Sequence, residues 1–377
     1  DFDLISFEKK DKFRVHKREI ESSIEDFTIQ WIPKFYTKSP PILSTVYDVY
    51  ILFREVERLH KRNQYDFIHC RGYITSLVGL KMKLKYNLPF IFDMRAFYAD
   101  ERIDGGHWNL SNPVYKSVYN FFKKKEKKFI KHSAYTISLT EKGKKIIRSW
   151  NLIPKHENRI KVIPCCANLE LFDYSKIEPS KINALKADLN IKPDELVVSY
   201  LGSIGTWYLP EEMMTFFAEF QKKYPKSVFL FITAEPLKKL HLLAERHKVD
   251  PHKIKAISVL HHEVPVYLSI SDYALFFIKP VFSKSGSSPT KMAEIMGLGI
   301  PLICNTGVGD VDSIVEGTDC GVAIKEMNKK SFQNAIIQLM DYKVDKEKIR
   351  NGAIKYYDLQ KGVKKYSDVY SEILPKY

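Results

Sequence analysis

Short apolar runs alternate with amphipathic stretches along almost the whole chain. In the first half the runs at 4–7, 67–70, 90–94, 135–139 and 161–163 predict strands, and helical periodicity predicts helices at about 47–61, 73–86, 113–131 and 141–150. In the second half strands are expected at 196–201, 228–232, 255–259, 273–277, 301–304 and 321–324. Helices at about 210–223, 236–247, 264–269, 289–298, 310–316 and 330–341 separate them. The strands are buried runs, which belong to parallel sheets wrapped by helices, so the fold class is α/β. The boundary between two such units falls at about 165–180, where Pro164-Cys165-Cys166-Ala167-Asn168 follows a strand and a polar stretch with Pro179 comes next. Residues 1–165 then form one domain and 166–356 a second. The segment 357–377 reads as a helix that either returns to the first domain or caps the second. The strand-like opening at 1–7 has no Met before it, which predicts a strand-loop-helix preceding this numbering.

A length of 377 residues suits two α/β domains of roughly 150–200 residues each. With 45% hydrophobic and 28% charged residues, the composition is that of a folded globular chain, not a disordered one. The net charge of +15 attracts anions: nucleic acid, nucleotide phosphates or acidic lipid head groups. A solvated basic surface without a dedicated partner is the plainer reading. Cys70, Cys165, Cys166, Cys304 and Cys320 are odd in number and lack metal-ligand spacing, which reads as a reduced, cytosolic chain without structural zinc. No apolar run approaches the roughly 20 residues needed to span a bilayer, and no signal peptide is visible.

Ligands of open parallel sheets bind beyond the carboxyl ends of the strands. Gly202-Ser203-Ile204-Gly205-Thr206-Trp207 follows the strand at 196–201. Its glycines admit close backbone approach, and the helix starting near Pro210 favours an anion. A tight turn accounts for that loop equally well. Ser283-Lys284-Ser285-Gly286-Ser287-Ser288-Pro289-Thr290-Lys291-Met292-Ala293-Glu294 is sharper. Ser287 and Ser288 are expected to cap a helix with Pro289 in its first turn. Backbone N–H groups, hydroxyls and Lys284 or Lys291 would make a diphosphate cradle. Glu294 could accept two hydrogen bonds from a ribose diol; a capped surface helix with Glu294 in an ordinary ion pair is the alternative. In the first half, Arg71 and Arg95 each follow a strand, and a guanidinium suits phosphate. Asp93 and Glu101 are nearby acids. Glu101 would either orient an acceptor hydroxyl or pair with Arg95 or Arg102. Lys123-Lys124-Lys125-Glu126-Lys127-Lys128, interleaved with Phe121, Phe122 and Phe129, suits an anionic membrane face; a solvated face is the other reading.

The run Ser-Ser-Pro-Thr-Lys-x-x-Glu-x-x-x-x-Gly-x-Pro at 287–301 resembles the donor-binding signature of family 4 retaining glycosyltransferases, in the subgroup with Ser-Pro-x-Lys-x-x-Glu. The segment 162–172 resembles that family's interdomain stretch, and 92–101 its Asp-x-Arg…Glu loop, so the likeness covers most of the chain. It implies the GT-B fold, two Rossmann-like domains facing across a cleft, with the N-terminal βα unit absent from this numbering. It also implies that Glu294 binds the ribose, that Ser288, Thr290 and Lys291 surround the diphosphate and sugar, and that Gly202, Ser203 and Thr206 form the opposite phosphate wall. Arg95 stands roughly where the family often has a His that touches the donor sugar. His261-His262-Glu263 holds no metal, because adjacent side chains diverge, and lies near the nucleotide base with Val264 as a backbone contact. Two departures stand out. Gly286 occupies the place of a second Glu that touches the donor sugar, and the loop Gly205-Thr206-Trp207-Tyr208 lacks the usual Arg and Lys, so the cation must be Lys284, Lys291 or Arg95.

The resemblance implies an enzyme that moves a sugar from a UDP- or GDP-sugar to a hydroxyl of a cell-surface glycan precursor, lipid-linked in the favoured case. The reaction would proceed with retention and without metal or other cofactor, in the cytoplasm or peripherally at the inner face of the membrane. A non-hydrolysing sugar-nucleotide epimerase keeps the fold and changes the reaction. A basic nucleic-acid-binding protein rests on charge alone, with no helix-turn-helix or aromatic RNA-binding signature, so nucleic acid is not an expected partner.

Overall fold

The computed structural model describes every residue except Asp1, Lys12, Lys155 and 375–377, and leaves the Val15 side chain undescribed. Twelve strands are described: β1 Phe2–Glu8, β2 Ile29–Phe35, β3 Ile68–Arg71, β4 Phe90–Asp93, β5 Tyr135–Ser138, β6 Ile160–Val162, β7 Leu196–Leu201, β8 Ser227–Ile232, β9 Ile254–Ile257, β10 Tyr273–Phe276, β11 Leu302–Asn305 and β12 Gly321–Ile324. Every pairing is parallel. The first lobe holds a four-stranded sheet in the order β3-β4-β5-β6 and the separate pair β1-β2. The second holds six strands in the order β12-β11-β10-β7-β8-β9. The order reverses between β7 and β10, the place where such sheets open a ligand crevice.

The helices are α1 Phe13–Ile24, α2 Leu43–Asn63, α3 Tyr73–Tyr86, α4 Tyr98–Asp104, α5 Pro113–His132, α6 Glu141–Ser149, α7 Pro179–Asp188, α8 Pro210–Lys223, α9 Leu237–Arg246, α10 Val264–Leu268, α11 Thr290–Gly297, α12 Val311–Thr318, α13 Lys329–Asp341, α14 Lys346–Tyr357 and α15 Leu359–Ile373. Their starts follow local chemistry. Asn112 accepts the Val114 N–H ahead of α5, with Pro113 in the first turn, and Thr140 accepts the Gly143 N–H ahead of α6. β8 is buried at every position, as a central strand covered on both faces must be.

β2 was not expected, because Pro33 interrupts its run. An edge strand tolerates that, and β2 pairs only with β1. Four helices, α1, α4, α7 and α14, also lie where none was expected. The expected helix at 357–377 begins at Leu359, capped by the Asp358 carboxylate; its last residues, 375–377, lie outside the described residues. It returns to the first lobe, where Val369, Tyr366, Tyr370 and Ile373 pack on Ile91, Ile137 and Ile163.

The lobes meet along one seam. The Asp310 carboxylate accepts the N–H groups of Glu141 and Lys142 at 2.7 and 3.0 Å, so the second lobe occupies the N-terminus of α6 in the first. Thr140 Oγ1 donates to the Ser285 carbonyl at 2.8 Å, and the Ser283 N–H donates to Asp104 at 3.0 Å. A Cβ on Gly286 would lie 3.2 Å from the Phe97 ring, so the absence of a side chain there lets the lobes close.

Candidate active site

A cavity of about 560 Å³ opens at the carboxyl edge of the second sheet, beside the reversal of strand order. Its walls come from the loop after β7 (Gly202, Ser203, Tyr208), the loop after β8 (Thr233, Ala234, Glu235), the loop after β9 (Ser258, Val259, His261), and the starts of α10 and α11 (Val264, Thr290, Lys291, Glu294). Of the residues singled out from sequence, Gly202, Ser203, Val264, Thr290, Lys291 and Glu294 converge here.

Lys291 is the dominant feature. Its side chain is 8% exposed and its Nζ has no hydrogen-bond partner. The ammonium sits 4.2 Å from the Tyr200 ring centroid and 3.8 Å from that of Tyr208, held by the negative faces of both rings. Burial pulls its pKa down to about 7, with Glu294 opposing that shift. A buried cation without an anionic partner calls for a ligand that supplies one. Gly202 frames the other side. Its φ is +105°, and a Cβ there would lie 3.3 Å from Lys291 Nζ, so glycine is required both for the turn and for the approach. No side chain caps α11, so its start, which also lines the cavity through Thr290, keeps N–H groups without a side-chain partner.

Glu294 lies one turn further along α11 and is nearly buried. Its Oε1 stands 3.0 Å from Nε2 of His261, an exposed ring that also packs near Phe172. His261 is therefore a partner of Glu294. Among the described residues, no group of three or more His, Cys, Asp or Glu side chains is placed to hold a metal ion.

Several expectations need correction. Ser287 and Ser288 do not cap α11. Pro289 occupies the cap position, because the chain enters through a 3-10 turn at Phe282–Gly286. Ser288 instead accepts the Cys165 N–H at 3.2 Å, joining the interdomain segment to the motif. Lys284 is not free for a phosphate. It is buried over the Trp207 ring at 3.6 Å and donates to Glu101 Oε1 at 2.7 Å. Glu101 accordingly pairs across the seam, and with neither Arg95 nor Arg102. Arg95, with φ +65°, places Nη2 3.4 Å from Cys165 Sγ and lines a small void against Gly286. Asp93 is buried under α15, where the Tyr366 hydroxyl donates to it at 3.1 Å and His69 stands at 3.5 Å. Arg71 is exposed at the end of β3, and Gly205 and Thr206 are exposed outside the cavity walls.

Neutralising Glu101 as Glu101→Gln leaves the Lys284 ammonium buried against Trp207 beside an amide. Glu101 is a third exposed, so solvent softens the loss to about 1 kcal/mol. A fall in Tm of about 2–4 °C by calorimetry is the expected result; an unchanged Tm would mean that solvent already screens the pair.

The tyrosines were the residues that sequence reading missed. Tyr200 is the fifth residue of a strand and Tyr208 the second beyond Thr206, and neither carries a motif. An aromatic on the buried strand that leads into a glycine loop, facing a motif lysine, is the signal that could have found them.

Comparison with known proteins places both halves of the chain. Residues 3–171 match the Glycosyltransferase Family 4 model and residues 181–356 the Glycosyl transferases group 1 model. The alpha-monoglucosyldiacylglycerol synthase of Acholeplasma laidlawii is 26% identical over 255 residues, 66% of this chain and 61% of that protein. A D-inositol 3-phosphate glycosyltransferase of Rhodococcus opacus (strain B4) is 21% identical over 172 residues, 45% of this chain and 35% of that protein. The match thus spans less than two thirds of either relative. Among solved structures, a sucrose-phosphate synthase from Thermosynechococcus elongatus superposes with a TM-score of 0.69 at 14% identity, covering 99% of this chain and 98% of that one. Anabaena Alr3699/HepE in complex with UDP-glucose gives 0.67 at 13% identity, covering 98% and 99%. With a family 4 half followed by a group 1 half, the chain belongs to the GT-B glycosyltransferases.

Proposed function

We infer that this chain transfers a sugar from a nucleotide-diphosphate donor, UDP first and GDP second, to a hydroxyl of a glycan or lipid-linked acceptor, with retention at the anomeric carbon. Within its family it would stand in the subgroup with Ser-Pro-x-Lys-x-x-Glu. The observation that carries this reading is Lys291: a buried ammonium without a hydrogen-bond partner, facing a positive-φ glycine and an uncapped helix start on the wall of a nucleotide-sized cavity.

The diphosphate would lie between the Gly202 loop and the start of α11, with the ribose at Glu294 and the base toward Ser258–Val264. As the bond from the anomeric carbon to the phosphate oxygen breaks, the electron pair stays on the diphosphate, where Lys291 and the helix N–H groups stabilise the developing charge. The acceptor oxygen attacks the face that the diphosphate leaves and its proton passes to the departing phosphate oxygen, so no enzyme nucleophile is required. Contacts between the lobes such as Thr140 with Ser285 and Glu141 with Asp310 would hold the cleft closed and limit water at the sugar. Two similar proteins point toward a UDP-sugar donor and a lipid acceptor: one is a monoglucosyldiacylglycerol synthase, and one is seen in complex with UDP-glucose.

A thermal-shift comparison of UDP, GDP and ADP, followed by product analysis with the corresponding sugar nucleotides, tests the reading. A nucleoside diphosphate should raise Tm by several degrees, about 2.7 kcal/mol at a hundredfold excess over Kd. An epimerase would change the sugar with no acceptor present. Absence of stabilisation by all three nucleotides would remove the basis for the proposal.

A further inference from the structure

The loop after β7 bounds the cavity but has little packing of its own. Ser203, Gly205 and Thr206 are exposed, and a Cβ on Gly205 would meet nothing within 4 Å. The loop is held at its far end instead. The Trp207 carbonyl accepts the Lys279 N–H at 2.9 Å, and the Leu209 N–H donates to the Phe277 carbonyl at 3.1 Å, so 207–209 lie as a short strap along the exit of β10. The two aromatic residues of that strap have different partners. Tyr208 lines the cavity, with its ring centroid 3.8 Å from Lys291 Nζ. Trp207 lies outside the cavity wall.

Trp207 is gripped by the seam between the lobes. Lys284 Nζ lies over its ring at 3.6 Å and donates to Glu101 of the first lobe at 2.7 Å. Gly105, which ends α4 in that lobe, fits close against the indole: a Cβ there would fall 2.8 Å from Cζ2 and 3.0 Å from Cη2. The same helix takes the Ser283 N–H on Asp104 at 3.0 Å. On its other flank Asp100 ties it to α5, accepting the Tyr119 hydroxyl at 3.0 Å and the Lys123 ammonium at 2.8 Å. So α4 is fixed in the first lobe and presents Glu101, Asp104 and Gly105 to the second. Lys284 in turn sits in the 3-10 turn ahead of α11. One ammonium therefore joins the first lobe, the loop after β7 and the approach to the Lys291 helix.

When the lobes separate, Glu101 and Gly105 leave with the first. Lys284 then loses its carboxylate and Trp207 its packing. A tryptophan that merely filled the seam would have no bearing on Lys291. Here the next residue is one wall of the lysine's enclosure, so a displaced indole reaches the ammonium through a single peptide unit. Closure that completes a catalytic constellation needs such a link between the moving lobe and the reacting groups.

We propose that Trp207 is a positioning residue that couples lobe closure to the donor cation: Gly105, and Glu101 through Lys284, set the indole in place, and the indole holds Tyr208 over Lys291. The assignment rests on the transferase reading, to which it adds that the first lobe readies the diphosphate site on closing.

The test follows Lys291 in the nucleotide-free full chain by carbon-13 NMR of lysine Cε, in wild type and two variants. Trp207→Ala removes the indole. Gly105→Leu leaves the second lobe unaltered and pushes on the indole from the first; the Gly105 backbone, at φ −83°, accepts a side chain without strain. In wild type Lys291 should titrate near pH 7, where burial holds it. In both variants Tyr208 should move and water should reach the ammonium. Burial is the main cause of the depression, so the titration should rise by at least about one pH unit. At about pH 6 the lysine is charged in all three proteins, and there the nucleotide that most raises the wild-type Tm, UDP or GDP, should bind each variant at least about tenfold more weakly, because the cation has lost its place. A purely structural tryptophan would lower Tm and leave both readouts alone. A Lys291 that titrates in either variant as in wild type, or a nucleotide Kd that stays close to wild type, would overturn the proposal. The lysine readout needs no nucleotide, which separates the two ideas. If Lys291 responds to both substitutions but none of UDP, GDP and ADP binds wild type, the coupling stands and the transferase reading falls. If wild type binds nucleotide while Lys291 ignores either substitution, the coupling alone falls.

Discussion

Replacing Lys291 by methionine is expected to lower kcat by about 10²–10³-fold while making the nucleotide-free protein more stable. The loss follows from removing a pre-placed cation at the point where the leaving diphosphate gains charge, an effect of the size seen when one oxyanion-stabilising group is deleted. The gain follows from burial. The ammonium is enclosed between Tyr200 and Tyr208 with no hydrogen-bond acceptor, and a thioether of similar length leaves nothing charged to desolvate. Folding moves the pKa from 10.5 to about 7, so between those values the unfolded chain binds a proton that the folded chain does not. Stability of the wild type without nucleotide should therefore rise with pH across that window, and the variant should lack this rise. Donor affinity should run the other way, because the diphosphate needs the charged lysine. Above pH 7, Kd should increase by up to about tenfold per pH unit. Calorimetric Tm and nucleotide Kd as functions of pH, for both proteins, check all three statements. A variant that is inactive and less stable would mean that Lys291 is structural.

Replacing Glu294 by alanine should act on binding. Two hydrogen bonds from a ribose diol to a carboxylate are together worth about 3 kcal/mol, so donor KM should rise by about 10²-fold, with kcat changed much less than by Lys291→Met. His261, the observed partner of Glu294, is exposed, and losing that contact alone would cost little. A competing prediction separates the roles: if Glu294 only anchors His261, then His261→Ala should reproduce the full effect of Glu294→Ala on KM. The donor-site reading requires His261→Ala to leave KM within a few-fold of wild type. Steady-state kinetics on the two variants decides between them.

Much of this was written in the apolar pattern. Strands β4, β8 and β11 are fully buried, so each appears as an apolar run, and the helices between the strands show their period. What escaped was structure that depends on position in the sheet: β2 holds a proline because it lies at an edge, and α7 is short and polar because none of its residues is buried. The cavity wall was partly legible, since glycine loops and a helix start after buried strands predict an anion site by themselves. Lys284 and Glu101 could not be read correctly. Each sits in a motif on a different lobe, and only closure brings them to 2.7 Å. Asp93 likewise looked available at a strand end, but the final helix covers it with Tyr366.

The central claim is that the Lys291 ammonium is kept for a nucleotide diphosphate. Carbon-13 NMR of lysine Cε, with the Lys291 signal assigned from Lys291→Met, measures this directly. The free protein should show that lysine titrating near pH 7, and saturating UDP or GDP should keep it charged to at least about pH 9. A Lys291 signal that titrates near the ordinary lysine value of about 10.4, or one that none of UDP, GDP and ADP displaces, would contradict the account.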